Sequence, residues 1–110
     1  MPVGNPMSLQ EKSTYMFRVV CSAEEIEELM QDWLTEHHFE YVDESGHARY
    51  QCHRRCLEYR MEKDQVILDV YLKQRNRTIG LENGLVGMMD AMSYINILTP
   101  LFTELNDRSS

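Results

Sequence analysis

Cys52-His53-Arg54-Arg55-Cys56 places two thiols, an imidazole and two guanidinium groups within one short segment. With His47 and Cys21 it makes a candidate zinc set. Zinc takes four ligands at about 2.0–2.3 Å, which brings its sulfurs within about 4 Å of one another. An extended chain holds Cys52 and Cys56 about 13 Å apart; a tight bend or helical turn removes that obstacle. The c-type haem pattern, two intervening residues and a following histidine, is missing. Arg54 and Arg55 are placed to depress a thiol pKa, the condition for redox chemistry. Packing within a strand is the plainer role for both cysteines, and no metal ligand is assigned.

A second constellation joins Tyr59, Arg60, Asp69 and Tyr71. Asp69 within a strand is the most enzyme-like carboxylate of the chain. General acid–base work needs a partner group in a pocket, and the sequence identifies none. These four residues therefore stand as a candidate ligand site between sheet and C-terminal helix, with no catalytic residue assigned. His37-His38 offers a proton-transfer pair or metal site, but adjacent helical residues point about 100° apart. The plainer account gives one histidine to the helix C-terminal dipole and the other to a turn. Gly80, Gly84 and Gly87 match neither the phosphate-binding nor the dinucleotide-binding glycine pattern, and no nucleophile elbow occurs. No cofactor is expected.

The elements that must position these groups follow from periodicity. Tyr15–Val20 alternates as a strand. Ser22 and Glu25 make a capping box, and Ile26, Leu29, Met30, Trp33, Leu34 and His37 recur on one helical stripe. The helix ends near His37-His38, where one residue turns left-handed. Phe39–Asp43 is a strand, Asp43–Gly46 a turn, and His47–Cys52 the returning strand. Leu57–Glu62 and Val66–Lys73 form a hairpin about Lys63-Asp64. Its second strand is apolar on nearly both faces, the mark of a central strand. Gln74–Gly80 reads as a polar loop. The order β-α-β-β-β-β-α predicts an α+β two-layer sandwich: an antiparallel sheet of four to five strands with two main helices on one face. Residues 1–13 read as a flexible arm, 14–107 as a single domain, and 108–110 as a disordered tail.

The run Leu81–Leu105 is the most unusual stretch. A continuous helix there measures about 37 Å, the full width of a domain this size. Leu85, Met88, Met89, Met92 and Ile95 make the stripe expected to face the sheet. Val86, Tyr94, Ile97, Leu98 and Phe102 widen it beyond the usual arc and form a candidate interface with a second chain. Pro100 either kinks the helix or opens a second one capped by Thr99, and the break is favoured. Gly84 and Gly87 either let another backbone come close or fray the helix start.

A net charge of −7 and a pI near 5.0 oppose nucleic acid as a partner, since phosphate binding needs clustered cations. The basic runs Arg49–Arg60 and Lys73–Arg77 read as solvated patches. Three cysteines are too few for a secreted disulfide framework. The first twenty residues lack a basic start followed by an apolar run, so no signal peptide and a cytoplasmic location are expected. The Gly84–Phe102 window contains Asp90, whose insertion into a bilayer costs roughly 2.5–3.5 kcal/mol, so no membrane span is expected.

Phe17-Arg18-Val19, Ser22-Ala23-Glu24-Glu25, Phe39-Glu40-Tyr41 and Gly80-Leu81 followed by Gly84 and Gly87 carry a resemblance. Over residues 15–105 the chain resembles a small N-terminal domain of uncharacterised bacterial proteins, some of which add a zinc ribbon that this chain lacks. Its acidic α+β character is also similar to secretion chaperones and sensory regulators. That resemblance implies dimerisation through a helix or a sheet edge and supplies no catalytic residues. The expectation is thus a non-enzymatic homodimeric module that binds a protein or peptide. A small-molecule site or enzyme, and a zinc site at Cys52 and Cys56, are the alternatives.

Overall fold

The computed structural model describes residues 12–74, 77–81 and 88–109. In chain order the elements are β1 (Ser13–Arg18), α1 (Ala23–Glu36), β2 (Glu40–Glu44), β3 (His47–Cys52), β4 (Arg55–Glu62), β5 (Gln65–Gln74), β6 (Arg77–Gly80) and α2 (Met88–Asp107). The fold is α+β, a six-stranded antiparallel sheet with two helices, in the order β-α-β-β-β-β-β-α.

Three tight hairpins set the register. Ser45 and Gly46 both take positive φ, +54° and +78°, as a two-residue primed turn requires. That turn pairs Tyr41 with Tyr50. His53 and Lys63 take positive φ in the next two turns, which pair Tyr50 with Leu57 and Tyr59 with Leu68. The strand path is β1-β5-β4-β3-β2. Ten-residue β5 is central and carries two partners on one side: β1 along Gln65–Val70 and β6 along Tyr71–Gln74. Gln74–Gly80, read from sequence as a polar loop, thus contains a sixth strand. Its signal is faint because Ile79 is the single large apolar residue in Arg77–Gly80, and it is buried.

α1 begins where Ser22 Oγ accepts from the Glu25 amide at 3.1 Å. It ends in a Schellman motif, with Phe39 N donating to Leu34 O and His38 N to Thr35 O. His38 takes the left-handed position at φ +64°, as the sequence predicts. Ile26, Met30, Trp33 and Leu34 form the buried stripe. His37 lies 4.6 Å from the Trp33 ring, so the two histidines serve the helix end.

α2 runs unbroken through Pro100, against the expected break. Pro100 removes one ladder bond, to the carbonyl of Asn96. Both residues are exposed, so water can take the vacated acceptor. Thr99, the expected cap, instead donates its hydroxyl to Ile95 O at 2.9 Å within the helix. α2 is described from Met88 onward; Leu85, Val86 and the Gly84–Gly87 pair lie outside the described residues.

The buried face of α2 also differs from expectation. Ala91, Tyr94, Leu98, Leu101 and Leu105 face inward, spaced by threes and fours as one apolar stripe. Met89 and Met92, expected against the sheet, are 82% and 59% exposed. Polar satisfaction decides the face. Tyr94 donates its hydroxyl to Cys56 O at 2.8 Å, and Trp33 donates its indole N–H to Ile97 O at 3.1 Å. A methionine side chain has no hydroxyl to replace the Tyr94 donor.

Both ends of the described chain are tied in. Ser13, assigned from sequence to the arm, is buried in β1 and accepts from Leu81 N at 2.9 Å. Arg108, assigned to the tail, pairs with Glu25 and Glu104 and accepts from Val20 N through its carbonyl. The start of α1 therefore lies beside the end of α2. Phe102 packs on Tyr15 and Phe17 of β1, with ring centroids 4.8 and 5.4 Å apart. Among the described residues no helix is long and apolar enough to cross a membrane.

Candidate functional site

The sheet divides the four residues grouped by sequence. β-Strand side chains alternate between faces, and the register places Tyr59 with Leu68 on the helix side. Arg60, Asp69 and Tyr71 lie on the opposite face. There Arg60 pairs with Glu62 at 2.9 Å and Asp69 at 3.5 Å, and Asp69 accepts from Thr14 at 2.6 Å. Tyr71 is fully buried and donates to Glu58 Oε2 at 2.6 Å, with the Lys12 ammonium 5.0 Å over its ring. Glu58 also accepts from Lys12 at 3.2 Å and meets His47 Nε2 at 3.0 Å. Burial works against its charge, but the bonds from Tyr71, Lys12 and His47 outweigh it and hold its pKa below the usual carboxylate value. These groups satisfy one another, and they form no common site with Tyr59.

The cysteine segment is divided in the same way. Cys52 packs against the core on the helix side, while Cys56 pairs with Gln51 on the other face. Burial pushes the Cys56 thiol up to about 11, the reverse of an activated thiolate. Among the described residues no three His, Cys, Asp or Glu side chains converge on a point.

Of the candidate interface residues, Tyr94 and Leu98 are fully buried in the chain's own core, and Ile97 and Phe102 pack against it while half-buried. Val86 lies outside the described residues.

The concave feature of interest lies elsewhere, between the first half of α1 and strands β2–β4. Five strands spaced about 4.8 Å apart make a layer about 24 Å wide. Two helices side by side, each about 10 Å across, cover about 20 Å. α2 is anchored at the β1 end through Phe102, so the uncovered margin falls at β2, which is almost wholly exposed. The resulting cleft holds about 600 Å³, within the range of ligand sites, about 300–1,000 Å³.

Tyr41, Tyr50 and Tyr59 run across its floor on three adjacent strands. Tyr41 meets Tyr50 edge-on at 5.4 Å, and Tyr50 stacks on Tyr59 at 5.9 Å. Gln31 of α1 donates to both Tyr50 and Tyr59 hydroxyls at 3.0 Å, and Tyr59 donates to Glu27 at 2.8 Å. These bonds fix the inner rings against the helix. Tyr41, at the outer end, is 61% exposed. Ala23, Glu24 and Glu27 form the helix wall, with Ala48 and Met61 completing the floor. Arg49, Glu58 and Arg60 also border the cleft, although strand register places their side chains on the other face.

The Tyr59 hydroxyl is driven upward in pKa, first by burial and then by Glu27 against the opposing Gln31 bond. A hydroxyl held protonated and donating to Glu27 is neither nucleophile nor base near neutrality. The arrangement suits binding: flat aromatic faces, a carboxylate wall and a strand edge that is open among the described residues.

Sequence reading passed over Tyr41, Tyr50, Glu24, Glu27 and Gln31 as site residues. A signal was available in the even spacing of Tyr41, Tyr50 and Tyr59, nine residues apart across two-residue turns. Comparison with protein-family models, curated proteins and solved structures gives no match.

Proposed function

We propose that the protein is a non-catalytic binding module that takes an extended segment of another protein in the cleft beside β2. The observation that carries this reading is the 600 Å³ tyrosine-floored cleft lying along an open edge. Among the described residues no strand pairs with the far side of β2. An added strand would satisfy its free N–H and C=O groups, while alternate side chains entered the cleft.

The test is a titration of isotope-labelled protein with short peptides alternating valine and one polar residue, followed by amide chemical shifts. Shifts are expected in β2 and at Ala48, Tyr50 and Met61. No shift there with any such peptide would sink the reading.

A second reading, self-association through the outer face of α2, is favoured by the exposure of Met89 and Met92. A homodimer built there should appear in sedimentation equilibrium and dissociate on Met89→Glu; a monomer at every concentration removes it.

A further inference from the structure

We infer that the cleft selects a cationic segment, one whose Lys or Arg side chain lies across Tyr41 and against the Glu24–Glu27 wall; this rests on the peptide-binding reading above. Three observations carry it: an uncompensated acidic helix, an exposed aromatic face beside it, and an acidic strand edge that opposes self-pairing.

The residues of α1 include Glu24, Glu25, Glu27, Glu28, Asp32 and Glu36 and no Lys or Arg. Its formal charge of −6 compares with −7 for the whole chain. The positive end of the helix dipole is equivalent to about half a charge. Among the described residues, Glu25 alone of these six carboxylates has a cation partner, Arg108 at 3.1 Å. Glu27 is held by the neutral Tyr59 and Gln31. The Glu24 carboxylate has no hydrogen-bond or ion-pair partner among the described residues. Two cations, Arg49 and Arg60, also border the cleft, but each is engaged by its own carboxylates, Arg49 by Glu44 and Arg60 by Glu62 and Asp69. Like charges one turn apart destabilise a helix, and the fold leaves this wall unneutralised.

Tyr41 lies across from that wall, 61% exposed and held edge-on to Tyr50. A cation over a tyrosine face is attracted by the ring quadrupole. The carboxylates beside it add charge-assisted hydrogen bonds. A Lys or Arg stem would also cover Ala48 and Met61 with its methylenes.

The strand edge narrows the choice of occupant. β2 carries Glu40, Asp43 and Glu44. A second copy pairing edge to edge would bring the same charges against themselves, and charge on an edge strand opposes self-pairing. A neutral strand gains the backbone bonds alone. A basic strand gains those bonds together with Tyr41, Glu24 and Glu27.

Three heptapeptides test this: Val alternating with Lys, with Gln, and with Glu, each titrated into labelled full-length chain. The Lys peptide is expected to bind at the cleft about tenfold or more tightly than the Gln peptide, with affinity falling as salt rises. Tyr41→Leu, which keeps an apolar side chain and removes the π face, should weaken the Lys peptide about two- to fivefold. Glu24→Gln with Glu27→Gln should weaken it about tenfold, while Glu28→Gln, outside the cleft lining, should change little. Equal binding of Lys and Gln peptides would overturn the charge selection and leave the peptide-binding reading standing. No cleft shifts with any peptide would end both. Shifts centred instead on the Leu29–Pro100 groove between the helices would overturn the assignment to this cleft. An equal loss on Glu28→Gln would reduce the effect to the protein's overall charge and overturn it too.

Discussion

Leu98→Ala is expected to lower the free energy of unfolding by about 2–5 kcal/mol, the range for deleting a fully buried leucine. The loss should be the same in dilute and concentrated solution. Leu98 is fully buried within one chain, between Tyr94 and Leu101 on the inward stripe of α2. Had it served a subunit interface, the loss would grow or shrink with protein concentration, because association is linked to folding by mass action. Met89→Ala is the internal control. That side chain is 82% exposed, and substitutions at such sites usually fall within about 0.5 kcal/mol. Urea unfolding of both variants at two concentrations decides the matter. A small loss for Leu98→Ala, or a large loss for Met89→Ala that is equal at both concentrations, would mean that α2 presents its other face to the sheet; a Met89→Ala loss that varies with concentration would mark a dimer interface instead.

The second large effect is alkaline instability. Burial raises the Tyr94 and Tyr71 hydroxyls well above the ordinary tyrosine value; for Tyr71 the adjacent Glu58 carboxylate adds to it. Burial also lifts Cys56 to about 11. An unfolded cysteine ionises near pH 8.5 and a tyrosine near pH 10. Above those values the unfolded chain has released protons that the native chain retains, so stability falls as pH rises. The Cys56 contribution is intact below about pH 8.5 and is lost as pH rises through about 11. The two tyrosines begin to act above about pH 10, each costing roughly 1 kcal/mol per pH unit. Urea midpoints measured across this range should fall in two stages. Cys56→Ala should remove the earlier stage, and Tyr71→Phe with Tyr94→Phe should make the later one shallower, the raised Tyr59 hydroxyl keeping a share of it. Midpoints that stay level to pH 11 in the parent protein would contradict this account of the burial.

Much of the fold could be read from local chemistry. The Ser22–Glu25 cap, the stripe from Ile26 to Leu34 and the turns at Ser45-Gly46 and Lys63-Asp64 are nearest-neighbour matters, and residue type and periodicity expose them; the third turn, at His53-Arg54, stays open in the sequence between an extended and a bent chain. β6 escaped because a four-residue strand carrying one buried isoleucine has no period to display. Its existence depends on β5 extending four residues past the end of β1, a fact of length matching between distant segments. Pro100 misled for a related reason. Its cost depends on whether the orphaned Asn96 carbonyl meets water or protein, and that is decided by which side of α2 faces out.

The acidic run of α1, the tyrosines and the surplus apolar residues of α2 were all visible in the sequence as inventory. α+β order, the absence of a phosphate loop and the charge imbalance followed from residue type and spacing alone. Placement belonged to the tertiary structure. The side of the sheet on which Tyr59, Arg60, Asp69 and Tyr71 fell depended on strand alternation and register together. The inward face of α2 depended on where the Tyr94 hydroxyl and the Trp33 indole could find carbonyls. The cleft exists because α2, packed on β1 through Phe102, and α1, bonded to Tyr50 and Tyr59, leave β2 largely exposed. Each of these outcomes comes from contacts between segments far apart in the chain, where geometry rather than local propensity sets the lowest free energy.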